Sequence, residues 1–226
     1  MSLISKAKNS FSPVLSIVVY KSDEEIYMEM HRIDKTGNLM EGAPLSKECI
    51  SDLVKGFSDD QGWNPNGRIP ANMLWSDTRI GHERYVWYNP PMQRMMYFVS
   101  SLGIENGLYH VPGIIYEAFG TEKLNVYAYK GTKPSSKTKL YKAPFFNVTN
   151  GSVCLGNAKI EPPESPDFDL FIDYWERRFW LTEFSHLGGS QNPTKDNLVI
   201  VTKASAERFD YSQLCPMKIT LNNLLK

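Results

Sequence analysis

Cys154 is the residue of this chain best placed to do covalent chemistry. It lies in Ala143-Pro-Phe-Phe-Asn-Val-Thr-Asn-Gly-Ser-Val-Cys-Leu-Gly156, just beyond an Asn-Gly dipeptide. Asn-Gly favours positive φ at two adjacent turn positions, so a tight reversal is expected at Asn150-Gly151. Val153 and Leu155 flank the thiol with apolar side chains. In a locally extended segment both would face the core and leave Cys154 on the outward face. An accessible thiolate can attack a carbonyl and later depart from it, the two halves of carrier chemistry. The competing use is the commoner one for a free cysteine, a small hydrophobe in the core.

Other chemistry finds little support. The chain has no Walker loop, GxGxxG, HExxH or GxSxG, so nucleotide sites and the common hydrolase elbows have no motif to build on. Cys49, Cys154 and Cys215 are odd in number, far apart and without a CxxC pair, which argues against zinc and dithiol redox sites. His31, His82, His110 and His186 show no metal-ligand spacing. His110, in Tyr109-His110-Val111-Pro112-Gly113, is expected as a hydrogen-bonded strand-end residue. A thiol protease would need a histidine base beside Cys154 in space; the local sequence supplies none. Neither a cofactor nor a metal is expected.

The elements that must position Cys154 follow from periodicity. The 226 residues are 42% hydrophobic and 22% charged, enough for one large domain or two small ones. Basic and acidic side chains balance at 25 each, so no electrostatic footprint for nucleic acid or an anionic membrane exists. The lysines Lys130, Lys133, Lys137, Lys139 and Lys142 are expected in a solvated loop. The first residues contain no apolar core of signal-peptide length, and Val14–Tyr20 is strand length, so a cytoplasmic protein is expected.

Val14–Tyr20 and Glu25–Ile33 read as a hairpin joined by Lys-Ser-Asp-Glu, with Lys35-Thr36-Gly37 turning the chain afterwards. Ser46 can cap a helix through Phe57 whose Cys49, Ile50, Leu53, Val54 and Phe57 share one face, making Cys49 a core residue. Ser58–Ala71 is rich in Gly, Asn, Asp and Pro and marks a boundary or long loop. We place one unit at residues 1–65 and a second at 66–226. In the second, Met73–Trp75, Tyr85–Tyr88, Met95–Val99, Gly113–Phe119 and Leu124–Tyr129 have the spacing of an antiparallel meander. Asp167–Phe184 is expected as a helix with Phe168, Phe171, Ile172, Trp175 and Phe179 on one stripe, Pro166 at its start and Gly188-Gly189 after its end. Asn197–Thr202 reads as a late strand.

The order of these segments resembles the core of ubiquitin-conjugating (E2) enzymes. There, two meander strands lead to a proline-rich loop, then His-Pro-Asn, a short turn ending in glycine, and Ile-Cys-Leu. The closer resemblance is to prokaryotic E2-like family D, the family of the PRTRC system B proteins. It rests on Ala143-Pro144-Phe145-Phe146-Asn147-Val148, Asn150-Gly151 and Val153-Cys154, with the Tyr109–Gly113 approach. It covers about residues 109–160 and extends to the following helix. The chain departs from the eukaryotic pattern in two ways: Asn147 stands one residue closer to the cysteine, and no histidine precedes it.

The resemblance implies an α+β, E2-like fold: an antiparallel meander flanked by helices, here extended by the N-terminal hairpin and helix. It implies Cys154 as a thioester carrier for the C-terminus of a ubiquitin-like protein received from a ThiF- or E1-type activating enzyme. It also implies a plasmid- or mobile-element-borne PRTRC cassette as the setting. Asn147 would stabilise an oxyanion or order the loop, unless it merely satisfies its own turn. Pro144, Phe145, Phe146, Asn150, Gly151 and Ser152 would shape the site, and Tyr141 and Phe145 would either wall the thiol or pack in the core. The alternatives are an E2-like scaffold that binds the same partners without catalysis, and an unrelated α+β interaction module with Cys154 buried.

Overall fold

The structure is a computed structural model that describes residues 13–23, 25–46, 49–50, 64–79, 81–156, 160–164, 166–189 and 191–226. The chain divides into two compact units, residues 1–61 and 62–226. In the first, β1 (Leu15–Lys21), β2 (Ile26–Ile33) and β3 (Leu39–Pro44) form an antiparallel sheet in chain order. The third strand was not anticipated. The turn before it is held by Asp34, whose carboxylate accepts from Thr36 N, Thr36 Oγ1 and Asn38 N. These bonds, the Thr36 hydroxyl foremost, lower its pKa to about 2.

The helix expected from Ser46 is described only at Cys49 and Ile50, where Cys49 N donates to Ser46 Oγ at 3.2 Å. Leu53, Val54 and Phe57, and Ser58 to Trp63 of the expected boundary, lie outside the described residues. Cys49 itself is exposed. The expectation of a core cysteine fails here, because a helical stripe predicts a face and not what covers it.

In the second unit the main sheet runs β11-β12-β9-β8-β5-β4, from β4 (Met73–Asp77) and β5 (Arg84–Asn89) through β8 (Gly113–Phe119) and β9 (Lys123–Tyr129) to β12 (Ser152–Val153) and β11 (Val148–Thr149). Every pairing along this path is antiparallel. β6 (Met92–Phe98), expected in the same meander, leaves it. It pairs instead with β7 (Gly107–Val111) and, in parallel, with β13 (Glu183–Phe184). The basic loop is also shorter than expected, since Lys139 and Lys142 belong to β10 (Lys139–Lys142), bridged between β9 and β14 (Pro216–Thr220).

Strict alternation along β5, β8 and β9 gives this sheet two apolar faces. One carries Tyr85, Trp87, Tyr116, Leu124 and Val126; the other carries Val86, Ile115, Tyr127 and Tyr129. Helix α1 (Phe168–Trp180) covers the first. Asp167 caps it by accepting from Leu170 N at 2.8 Å, and Asp169 and Arg177-Arg178 complement its dipole at either end. Phe171, Trp175 and Phe179 are wholly buried, each contributing roughly 2–3 kcal/mol of apolar burial. Phe171 meets Tyr85 at 4.5 Å between ring centroids, and Trp87 stacks on Tyr116 at 5.1 Å. The helix ends at Trp180, short of the expected Phe184, because the chain turns there into β13.

The second face is covered by β14 and the short helix α3 (Leu221–Leu224), whose Leu221 joins that core. The run Asn197–Thr202, expected as a strand, is instead helix α2 (Leu198–Ala204). Asn197 Oδ1 accepts from Val199 N at 2.9 Å, and this cap, with Leu198 and Val201 facing the core, overrides the β-branched composition. Among the described residues no helix is long and apolar enough to cross a membrane.

Candidate functional site

The expected reversal carries the cysteine. Val148 pairs with Val153 and Thr149 with Ser152, with φ of 50° at Asn150 and 97° at Gly151. Two adjacent positive values are the signature of the primed hairpin turn. The hairpin joins the sheet through the Ser152–Asn125 pairing and a 2.8 Å bond from Val126 N to Gly151 O. Cys154 follows at once and is exposed, while Val153 and Leu155 are half-buried against the core. The alternation read from the sequence is the alternation found.

Gly151 sits on a fixed floor. A Cβ there would lie 2.7 Å from Cε1 of Tyr127. Tyr127 cannot swing aside freely, since its hydroxyl donates to Glu117 Oε2 at 3.1 Å. Glu117 is itself buried, taking a bond from Asn125 Nδ2 at 2.8 Å and pairing with Arg84 at 2.7 Å. Arg84 also donates to Leu224 O, which ties this polar cluster to α3. Burial first, then the Glu117 charge, raises the Tyr127 pKa, so the phenol remains a donor.

Asn147 opens the loop that Cys154 closes. Its φ is 60°, a left-handed conformation that asparagine tolerates better than most residues, and it is 2% exposed. Its carbonyl oxygen accepts from Cys154 N at 2.7 Å. Its side chain turns the other way, to the segment after α1. Oδ1 accepts from Ser185 N at 3.0 Å, Ser185 Oγ at 3.2 Å and His186 N at 3.2 Å, while Nδ2 donates to Glu183 O at 2.9 Å. Asn147 N donates to His186 O at 2.8 Å. The side chain therefore binds a distant segment and does not satisfy its own turn.

The same segment touches the loop at two more points. A Cβ on Gly188 would collide with the Val148 carbonyl and Thr149 Oγ1, and a Cβ on Gly156 would lie 2.6 Å from Thr182 Oγ1. Residues 182–188 thus bracket the hairpin on both sides of Cys154. Sequence reasoning missed this segment, taking Gly188-Gly189 as a helix stop. Glycine's other use, close approach of two backbones, was the available signal.

The proline-aromatic run holds the loop from below. Phe145 meets Phe179 and Trp180 edge-on at 5.6 and 5.3 Å, and Phe146 meets Phe98 at 6.3 Å; both are buried. They are core anchors, so Phe145 does not wall the thiol. Tyr141 is half-buried in β10 with the Lys130 ammonium 5.2 Å from its ring centroid. Pro144 lines a small recess with Met96, His110 and Phe209. His110 is a hydrogen-bonded strand residue, as expected: its Nε2 lies 3.0 Å from Gln93 Nε2 and its N donates to Ser205 O. Ser152 is exposed on β12 and Cys215 is half-buried. Among the described residues no three His, Cys, Asp or Glu side chains gather as metal ligands.

The site is thus one exposed thiol on a braced hairpin beside a histidine-bearing segment. No curated protein and no solved structure matches the chain. The family model described as prokaryotic E2 family D matches residues 49–217, well over half of the sequence, including the sheet, the Cys154 hairpin and α1. The chain belongs to prokaryotic E2 family D.

Proposed function

We propose that this protein is an E2-like carrier enzyme in which Cys154 holds the C-terminus of a ubiquitin-like protein as a thioester. The observation that carries this reading is the exposed thiol beside half-buried Val153 and Leu155 on a doubly braced hairpin. In loading, the Cys154 sulfur attacks the thioester carbonyl of the modifier on a ThiF-type activating enzyme. A new S–C bond forms, and the activating enzyme's sulfur leaves and takes the proton. In discharge, an amine or thiol attacks the same carbonyl, the C–S bond breaks and Cys154 regains its proton. A fixed loop keeps the sulfur in one geometry for both steps. Asn147 serves as the residue that orders this loop, since its carbonyl and amide are committed to Cys154 N and residues 183–186. The family supports a plasmid- or mobile-element-borne PRTRC cassette as the setting.

One observation favours a second reading, a non-catalytic scaffold for the same partners. The Asn147 amide, which the resemblance offers for an oxyanion, is turned to residues 183–186 instead. A single experiment separates the two. The protein is incubated with ATP, the cognate ThiF-like enzyme and the ubiquitin-like protein, and resolved with and without reducing agent. A carrier gives an adduct that reductant removes and that is missing from Cys154→Ser or converted there to a stable ester. Co-purification with both partners and no adduct would leave the scaffold.

A further inference from the structure

The equal totals of basic and acidic side chains conceal a separation along the chain. From Lys123 to Gly156 there are six lysines, Lys123, Lys130, Lys133, Lys137, Lys139 and Lys142, and no Asp, Glu or Arg. The nearest acids in sequence are Glu122 and Glu161. β14 and α3 add Lys218 and again no acid. Lys142 is half-buried and the other lysines are exposed.

The fold gathers these residues beside the thiol. β10 pairs with β14, and the loop before β10 is tied to α3 through bonds from Leu221 N to Thr138 O at 2.8 Å and from Asn222 N to Ser136 O at 2.9 Å. β10 also lies end to end with the Cys154 hairpin. Lys142 stands opposite Tyr127 and Ser152 opposite Asn125, both on the side of β9 away from β8. The two positions are therefore separated by two residues of β9, about 7 Å. Lys123 lies two residues along β9 in the other direction, so lysines stand on either side of the hairpin.

These cations have no counter-charge. Among the described residues the ion pairs are made by Arg79, Arg84, Arg94, Arg177 and His31, and none by a lysine. Lys123 and Lys130 rest against the rings of Phe119 and Tyr141, and Lys142 Nζ donates to Gln191 Oε1 at 3.1 Å. Like charges gathered in this way repel one another, a cost that an acidic partner would remove.

We propose that this lysine ribbon is the docking surface for an acidic face of the ubiquitin-like protein carried on Cys154. This rests on the carrier reading above. A modifier held at Cys154 by its C-terminus has to rest its body on what surrounds the hairpin, and β10 adjoins it. Each exposed ion pair is weak in water, but the tether raises the effective concentration to the order of millimolar, where several weak pairs suffice. A nucleic acid fits less well. The ribbon offers no arginine fork, its one aromatic side chain, Tyr141, is half-buried against Lys130, and the chain as a whole is neutral.

The test uses full-length Cys154→Ser protein without ATP or activating enzyme, so binding is read apart from acyl transfer. The probe is the cognate ubiquitin-like protein, titrated by NMR over a range of salt concentrations. Lys137→Glu, Lys139→Glu and Lys218→Glu are combined in one variant. Lys21→Glu, Lys35→Glu and Lys203→Glu, at exposed lysines outside the ribbon, form a control of equal net charge. Affinity should fall steeply as salt rises. The ribbon variant should lose about 30-fold at low salt together with most of that dependence, and the control should stay within about threefold. Glutamine at the same three ribbon positions should lose about fivefold, and it decides the matter if the charge reversal unfolds the protein. Equal losses in ribbon and control, salt-independent binding, or no binding of the modifier at low salt would overturn the proposal. So would a loss seen only with the activating enzyme, or tight binding of a DNA duplex at physiological salt that the ribbon variant abolishes. The loading experiment above reads the thioester separately: a protein that binds the modifier through the ribbon yet gives no adduct would remove the carrier reading and keep the docking surface.

Discussion

Cys154 N donates to the carbonyl of Asn147 at 2.7 Å, while the Asn147 side chain reaches across to Glu183, Ser185 and His186. One buried amide thus fixes the loop of the thiol to the chain beyond α1. Asn147→Ala should strip partners from Ser185 N, His186 N and Glu183 O together, and put a less tolerant residue at positive φ. These bonds are part-buried, so each lost partner costs at most about 1–3 kcal/mol, and together they should lower the melting temperature by several degrees. Asn147→Asp keeps the acceptor but sets carboxylate oxygen against the Glu183 carbonyl, and should lie between wild type and Ala. Calorimetric scans of the three proteins check the order; an Ala variant as stable as wild type would contradict the bracing role.

Gly188 and Gly189 form a built-in control for the second contact. A methyl on Gly188 would meet the Val148 main chain, whereas on Gly189 it would sit at an ordinary 3.5 Å from Thr149 Cγ2. Gly188→Ala should therefore move residues 185–188 off the hairpin, lower stability and change the alkylation rate of Cys154. Gly189→Ala should leave both within error. Equal behaviour of the two variants in paired melting and iodoacetamide assays would refute the close packing of the segment.

Gly151→Val should suffer twice. Its φ of 97° is one that β-branched residues resist, at about 1–3 kcal/mol, and its Cβ meets a Tyr127 ring tethered to Glu117. Tyr127→Phe alone removes the tether and should soften the effect in the double variant. Non-additive melting temperatures in that cycle are the expected result, because the two residues touch.

Thiol labelling tests exposure directly. Cys154 and Cys49 are exposed and Cys215 is half-buried. Native-state iodoacetamide labelling with peptide mapping should modify the first two ahead of the third. If Cys154 is the slowest, the hairpin does not present it.

Much of this arrangement was legible before the fold. Asn150-Gly151 and the Val153-Cys154-Leu155 alternation specify the turn and the outward thiol from adjacent residues alone. The aromatic stripe of α1 is likewise a local, strongly periodic signal. What could not be read depends on partners distant in sequence. β7 and β10 are short, and their pairing with β6 and with β14 is set by tertiary context. Asn197–Thr202 has strand composition, yet its cap and its packing make it helical. The Glu183–Gly188 segment has no period at all; its meaning lies in contacts with Asn147 and Val148, some forty residues away in the chain.

Cys154→Ser is the most discriminating single change. The swap replaces one atom at an exposed position with apolar neighbours already turned inward, so melting temperature should move by a degree or two at most. Its chemical consequence should be large. A serine that accepts the modifier gives an oxyester, which thiols do not cleave, and the adduct then survives a reducing gel. A serine too weak a nucleophile gives no adduct, while wild type still gives a reducible one. Either outcome identifies residue 154 as the attachment point. A reducible adduct that persists in Cys154→Ser would instead place the thioester on Cys49 or Cys215, and the exposed Cys49 would be the next residue to replace.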